Sequence, residues 1–335
     1  MEPLVSILIP AYNAEEWITE TIDSALAQTW ARKEIIIVND GSRDQTLAVA
    51  RKYESSNVKV LTQENQGAAA TRNAAFALSQ GDYIQWLDAD DLLAPVKVSS
   101  QIEVAKQFGS DRMLISGPWG AFRYRAKKAT FPVTPLWADL SPAEWLIRKM
   151  GQNQHMQTGT WLTSRSLTEA AGPWNTKLLG DDDGEYFCRV LLASEGVRFV
   201  PDAKVFYRIT GTSRLSHIGF SQRKIEAQFL SMQMHIRYLR SLEDSERVHA
   251  ACVQYLQNWL IHFYPERPDI VSQARNLAEE MGGRLQDPKL RWKYSWIEKL
   301  FGWKAGKSAQ VVLPNVKASL FNSWDKAMYR LGINR

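Results

Sequence analysis

From residue 4 to residue 91 the chain switches repeatedly between two hydrophobic periods. Residues 4–9, LVSILI, form an apolar, β-branched run that reads as a buried strand stopping at Pro10. The following AEEWITETIDSALAQ places Trp17, Ile18, Ile22, Ala25 and Leu26 on one helical face. Then EIIIVND predicts a strand, DQTLAVARKYE a helix, VKVLTQ a strand, GAAATRNAAFALSQ a helix and DYIQWLDADD a strand. This alternation predicts an α/β fold built on a parallel sheet with helices on both faces.

In open sheets of this kind ligands bind outside the carboxyl ends of the strands. The residues there are polar: Ala11, Tyr12 and Asn13; Asn39, Asp40, Gly41 and Ser42; Glu64, Asn65, Gln66 and Gly67; Asp88, Ala89, Asp90 and Asp91. From about 110 to 215 the alternation weakens. Short strands at MLISG, GTWLTS and AKVFYRI stand among helices such as PAEWLIRKM and EYFCRVLLASE and read as the second half of the same domain. Beyond Ser221 long helical patterns take over, with Pro265, Pro268 and Pro288 as breaks. The expected organisation is an α/β domain over 1–220 and a helical region over 221–335, closing on a basic amphipathic stretch, KASLFNSWDKAMYRLGINR.

Composition narrows the class. With 45% hydrophobic and 23% charged residues the chain of 335 is globular in character, and no apolar run reaches the ~20 residues of a bilayer-crossing helix. The opening MEPLVSILIPAYN runs straight into a strand pattern without a secretory leader, so a cytoplasmic protein is expected. The two cysteines, Cys188 and Cys252, lack metal-ligand spacing and read as buried thiols. A net charge of +5 favours phosphorylated ligands or anionic lipid, but the basic and aromatic repeats of nucleic-acid modules are missing, so no nucleic-acid partner is expected.

The strongest chemical signal is LDADD, residues 87–91, at a strand end. Adjacent carboxylates repel one another and persist in water or beside a cation. Mg2+ or Mn2+ suits the spacing, because it takes one or two carboxylates and fills its other positions with water and phosphate oxygens. The plainer alternative is a solvated acidic turn ahead of a helix near Pro95. A second acidic block, LLGDDDGEYFCRVL, spans 178–191 and could equally be an acidic first helical turn.

The blocks LVSILIPAYNAEEWITETIDSALAQTW, EIIIVNDGSRDQT and ENQGAAATRNAAFALSQGDYIQWLDADD, in that order and spacing, resemble glycosyltransferase family 2, inverting enzymes of the GT-A fold, over roughly residues 4–215. The resemblance implies a Rossmann-like mixed sheet of the nucleotide-diphospho-sugar transferase type with a C-terminal helical appendage. It implies a nucleotide-sugar donor, UDP-linked by expectation, and a saccharide or lipid-linked acceptor. Donor-binding positions are then Ala11, Tyr12, Asp40, Gly67, Arg72, Asp88 and Asp90. Tyr12 would stack on the base, Asp40 would accept from it, and the helix starting at Gly67 with Arg72 would face the pyrophosphate. Asp90 is the expected direct ligand of Mn2+ or Mg2+, with Asp88 on the metal or the ribose. Asp183 is the expected catalytic base, with the neighbouring Asp181 and Asp182 as alternatives.

One departure stands out: Thr210 in YRITGTSRLSH occupies the position where the family often has a histidine. His217 is a substitute ligand in principle, and Ser213 and Arg214 could close over the pyrophosphate. Two other readings compete. A sugar-phosphate nucleotidyltransferase needs a glycine-rich first loop, which PAYNAEEW lacks. A catalytically silent nucleotide-sugar scaffold would be expected to lose one of the acidic motifs, yet both are present. Trp292, Trp296 and Trp303 with Lys293, Lys299, Lys304 and Lys307 fit either core packing or a peripheral contact at the inner face of a membrane.

Overall fold

A computed structural model describes residues 2–210 and 221–332. The first elements follow the predicted order: β1 (Val5–Ala11), α1 (Ile18–Leu26), β2 (Lys33–Asp40), α2 (Thr46–Arg51), β3 (Val58–Gln63), α3 (Ala68–Leu78) and β4 (Tyr83–Trp86). After them come β5 (Leu92–Leu93), α4 (Lys97–Phe108), β6 (Met113–Ser116), β7 (Trp119–Phe122), α5 (Pro142–Gly151), β8 (Thr163–Ser164), α6 (Arg165–Ala171), α7 (Asp182–Ala193), β9 (Gly196–Phe199) and β10 (Val205–Arg208). Four helices complete the chain: α8 (Gln222–Leu242), α9 (Glu246–Phe263), α10 (Pro268–Glu280) and α11 (Ser295–Arg330).

The main sheet has the order β3-β2-β1-β4-β8, parallel except for the antiparallel edge strand β8. Side-chain alternation explains its two coats. Val5, Ile7 and Ile9 with Ile35 and Ile37 face α1 and α4, meeting Ile18, Ile22, Val98 and Ile102. Leu8, Ile36, Val38, Ile84 and Trp86 face the other way, onto α3, α7 and, beyond them, α8 to α10. Each fully buried Ile contributes about 1.5–3 kcal/mol by leaving water. The apolar cluster is continuous from the sheet to Phe229, Leu256 and Ala274, so the helices after 221 share the core of the α/β part.

Pro10 does not end β1 as expected; pairing with β2 continues through Pro10 and Ala11. Leu8 turns its carbonyl toward the β4 side, accepting from Leu87 N at 3.0 Å. Pro10, of the same parity, faces the same side beyond the last β4 pair, where no donor is needed. Two other predicted elements are shorter than their patterns, α2 and the strand inside GTWLTS, which is reduced to β8.

The chain leaves β1 toward β2 and β3, then crosses back to β4 on the other side of β1. The reversal leaves a crevice at the carboxyl ends of β1 and β4, where such sheets bind ligands.

Candidate active site

Three loops meet at this crevice. Tyr12 follows Ala11 at the end of β1 and is 48% exposed, free to offer its ring face. The next residues tie β1 to the loop after β2: Asn13 N donates to Ser42 Oγ (2.9 Å) and Ala14 N to Thr46 Oγ1 (2.7 Å). Asp44, two residues ahead of α2, accepts from Thr46 N at 2.9 Å. Gly41 adopts φ 67°, and a Cβ there would lie 2.9 Å from Asn65 N, so only glycine lets the two loops approach.

Asp40 is buried and organises the loop after β3. Its Oδ1 accepts from Gln63 Nε2 (2.8 Å) and Gln66 N (2.9 Å), and its Oδ2 from Gly67 N (2.9 Å). This corrects one expectation: the Gly67 amide is not free for a phosphate. The amides of the first turn of α3, starting at Ala68, are those without intrahelical partners. One lone pair of Asp40 Oδ2 remains available for a further donor.

Arg72 lies at the centre of the acidic groups. Its NH2 donates to Asp88 Oδ1 at 2.7 Å and its NH1 to Asp182 Oδ2 at 2.8 Å, with the guanidinium 4.4 Å above the Trp174 ring. Burial opposes its charge, but Asp88 and Asp182 outweigh burial and hold it protonated. The neighbouring Asn73 fixes the stacking partner by a two-way bond, donating to Trp174 O (3.0 Å) and accepting from Trp174 N (2.8 Å). The residue expected to meet the donor pyrophosphate is therefore already a bridge between the two acidic motifs.

In the first motif the three aspartates differ. Asp88 pairs with Arg72. Asp91 is structural: it is buried, accepts from Arg208 N at 2.8 Å, and its carboxyl is raised well above the ordinary range by burial and by Asp90 and Asp88. Among the described residues Asp90 accepts one long bond, from Thr210 Oγ1 (3.3 Å), so the residue at the family's histidine position does reach the motif. Burial, then the charge of Asp88, lift the Asp90 carboxyl to about 6 against the pull of Arg208.

The second motif divides in the same way. Asp181, at φ 53°, turns its Oδ2 back to α8, where Ser231 Oγ and Gln228 Nε2 (3.2 Å) donate to it. Asp182 belongs to Arg72. Glu185 is buried under Arg189 (2.7 Å) and Tyr238 (2.8 Å). Asp183 remains partly exposed at the mouth of the cluster. Burial, then Asp182 and Asp181, raise it to about 7, the protonation range of a general base at neutral pH.

Arg208, absent from the expected site, holds the first motif from behind. Its Nε donates to Asp90 O (2.7 Å) and its NH2 to Glu20 Oε2 (2.6 Å), while its guanidinium packs on Trp17 and Phe122. The signal was visible in the YR pair of YRITGTSRLSH, but Glu20 is 188 residues away in sequence. His217, Ser213 and Arg214 lie outside the described residues.

Among the described residues no group of three or more His, Cys, Asp or Glu side chains forms a metal site. Asp88 and Asp90 still fit Mg2+ or Mn2+, which need only one or two carboxylates when phosphate and water complete the shell. The electrostatics are compatible with a cation there, since Asp88 repels Asp90 on one side and Asp182 and Asp183 on the other.

A mixed sheet of this order, with a switch-point crevice and a paired-acid motif after β4, is that of the GT-A fold. Residues 6–162, just under half of the chain, match the model described as Glycosyl transferase family 2. An uncharacterized glycosyltransferase of Rickettsia prowazekii is 40% identical over 113 residues, covering 34% of this chain and 35% of that protein. The chondroitin synthase of Pasteurella multocida is 44% identical over 33% of this chain and 12% of its own length, so this chain spans about a third or less of both. The putative glycosyltransferase EpsH of Bacillus subtilis is 28% identical, with 77% and 78% covered. Among solved structures, S. aureus TarS in complex with UDP superposes with a TM-score of 0.59 at 18% identity, covering 88% of this chain and 78% of that one. A mannosyltransferase of Pyrobaculum calidifontis in complex with GDP-Man and Mn2+ gives 0.52 at 17% identity, covering 97% and 88%. At such identities the structural likeness establishes the fold.

Proposed function

We propose that this protein is a metal-dependent, inverting glycosyltransferase that moves a sugar from a nucleotide-diphosphate donor, UDP-linked, to a hydroxyl of a saccharide or lipid-linked acceptor in polysaccharide assembly. The observation that carries the reading is the Asp183 carboxyl, raised to about 7 and bonded by no donor among the described residues, beside Asp88 of the Asp88 and Asp90 pair. The nucleotides in the structures of TarS and the Pyrobaculum enzyme and the synthase among the relatives support the donor class and setting.

In this reading Tyr12 stacks on the base and Asp40 takes its N–H on the unfilled side of Oδ2, while the Ala68 turn of α3 faces the diphosphate. Asp90, with Asp88, would hold Mn2+ or Mg2+, whose chemistry is to neutralise the departing diphosphate. Asp183 accepts the proton of the acceptor hydroxyl as that oxygen attacks the anomeric carbon from the side opposite the leaving group, so configuration inverts. Arg72 keeps Asp88 and Asp182 in register with one another. Residues 1–220 supply this machinery, and 221–335 form the helical region that backs it.

The test is calorimetric titration of UDP and GDP with Mn2+ into the parent and the Asp90→Ala variant. The parent is expected to bind one of them only with the metal, and Asp90→Ala to lose at least about ten-fold in affinity as a metal ligand disappears. Equal metal-dependent affinity in the variant would sink the assignment.

A further inference from the structure

The Trp- and Lys-rich segment that begins α11 divides into two faces. Leu290 and Tyr294 are buried, Trp303 stands edge-on to Tyr264 at 5.5 Å, and the Lys307 ammonium is buried on Tyr264 O (2.6 Å) and Glu266 (2.5 Å). Trp303 and Lys307 thus belong to the packing side of the segment. On the other side Trp292, Trp296, Leu300 and Phe301 are 87, 58, 70 and 69% exposed. Trp296 and Leu300 are four residues apart on one helical face. The segment is fastened to the body, so exposure of these side chains is a property of its outer face and not of a loose tail.

Charge selects what covers this face. Lys289, Arg291, Lys293, Lys299 and Lys304 are all exposed around it, and Glu298 is the only acid between 289 and 304. Two indoles with two aliphatic or aromatic neighbours, rimmed by ammonium and guanidinium groups, match the boundary between acyl chains and anionic headgroups. A second copy of the same basic rim would repel it. No described helix is long and apolar enough to cross a membrane.

We propose that the outer face of residues 289–304 docks on an anionic lipid bilayer. The helix beyond the turn at Gly302 (φ 81°) connects this face to the catalytic edge. Asp325 accepts from Arg125 Nε (2.7 Å) and Tyr124 N (2.9 Å), Lys326 pairs with Glu16 (2.6 Å), and Tyr329 donates to Glu20, the partner of Arg208. Some twenty residues of helix, about 30 Å at 1.5 Å per residue, separate the docking face from these anchors. The docking goes beyond the proposed transfer reaction and does not depend on it.

Flotation of the full chain with vesicles tests it, using phosphatidylcholine alone and phosphatidylcholine with about one third phosphatidylglycerol. The parent is expected to float with the anionic vesicles and to stay behind with the neutral ones. The charge variant Lys293→Glu, Lys299→Glu, Lys304→Glu should bind about a hundred-fold more weakly, given roughly a five-fold contribution from each basic residue near the surface. Trp292→Ser with Trp296→Ser should also abolish flotation. Far-UV circular dichroism and the melting temperature should be unchanged in both variants, which shows that they are folded and keeps this result separate from the fate of the active-site reading. Binding of the variants at the parent's level, equal flotation with neutral vesicles, or a dimer in solution that the Trp variant dissociates would each overturn the proposal.

Discussion

Replacing Asp183 by Asn should make the protein more stable and nearly inactive, and both effects can be sized from its surroundings. The carboxyl moves from an ordinary 3.8 to about 7, principally through burial and then through repulsion by Asp182 and Asp181. At 1.36 kcal/mol per pH unit the ceiling is about 4 kcal/mol. Partial solvent access and the sharing of repulsion with its neighbours bring the realistic figure to about 1–2 kcal/mol. The sign follows from linkage. Below pH 4 folded and unfolded chains are both protonated at this position, and the parent and the variant are equal. Between 4 and 7 the unfolded carboxyl ionises while the folded one resists, so the parent loses stability as pH rises, and above 7 the difference is constant. Asparagine has no such loss. Thermal melts should therefore coincide near pH 4 and separate by about 2–5 °C at pH 8, the variant higher.

Catalysis should move in the opposite direction. Without a base, nucleoside diphosphate release in the presence of acceptor should fall about 10²–10⁴-fold, while nucleotide affinity with Mn2+ stays within about two-fold, because Asp183 makes no bond that holds the donor loops. In the parent, kcat/KM should drop about ten-fold per pH unit on the acid side of an apparent pKa near 7, lower when the metal is bound nearby. A variant that melts lower than the parent at pH 8, or one that keeps more than a tenth of the turnover, would refute the argument that this carboxyl is strained for use as the base.

Arg72→Met should be destabilising, by about 3 kcal/mol in denaturant titration, because it leaves the buried Asp182 and the half-buried Asp88 without their shared partner; added Mn2+ should restore part of the loss. Arg208→Met should weaken Mn2+-dependent nucleotide binding about ten-fold although Arg208 is no ligand, since it releases the Asp90 carbonyl and leaves Glu20 without its guanidinium partner; unchanged metal affinity by calorimetry would show that the loop holds itself. Asp181→Asn should leave turnover within about three-fold and instead lower the melting temperature by a few degrees, as the bonds from Ser231 and Gln228 weaken.

What could be read from the sequence was what is encoded locally. The 2-residue and 3.6-residue periods of β1 to β4 and α1 to α3 arise from each element's own burial, so their order and the polar residues at the strand ends were visible. The elements from 110 onward are held by contacts distant in sequence. β8 is two residues long and exists because Ile84 and Tyr83 pair with it, and no local pattern announces that. The same holds for the site. Asp40, Asp88, Asp90 and Asp183 could be picked out by position, but the Arg72 bridge joins residues 110 apart and the Arg208–Glu20 pair residues 188 apart. Residue type alone does not say which acid a cation will choose.

The run Asp181, Asp182, Asp183 shows where that limit falls. Three identical side chains in sequence have three fates because the backbone rotates between them. Asp181 sits ahead of α7 in a left-handed conformation and is aimed at α8, and the next two follow at about 100° per residue around the first helical turn. That rotation carries Asp182 under Arg72 and Asp183 toward the cleft. A helix N-terminus favours ionised acids, so if the dipole governed, all three would be held as carboxylates. In Asp183 burial and repulsion win instead, since among the described residues no donor bonds to it. Among the described residues Asp183 is the acid of the three that no donor bonds, which is the condition the proposed base has to meet.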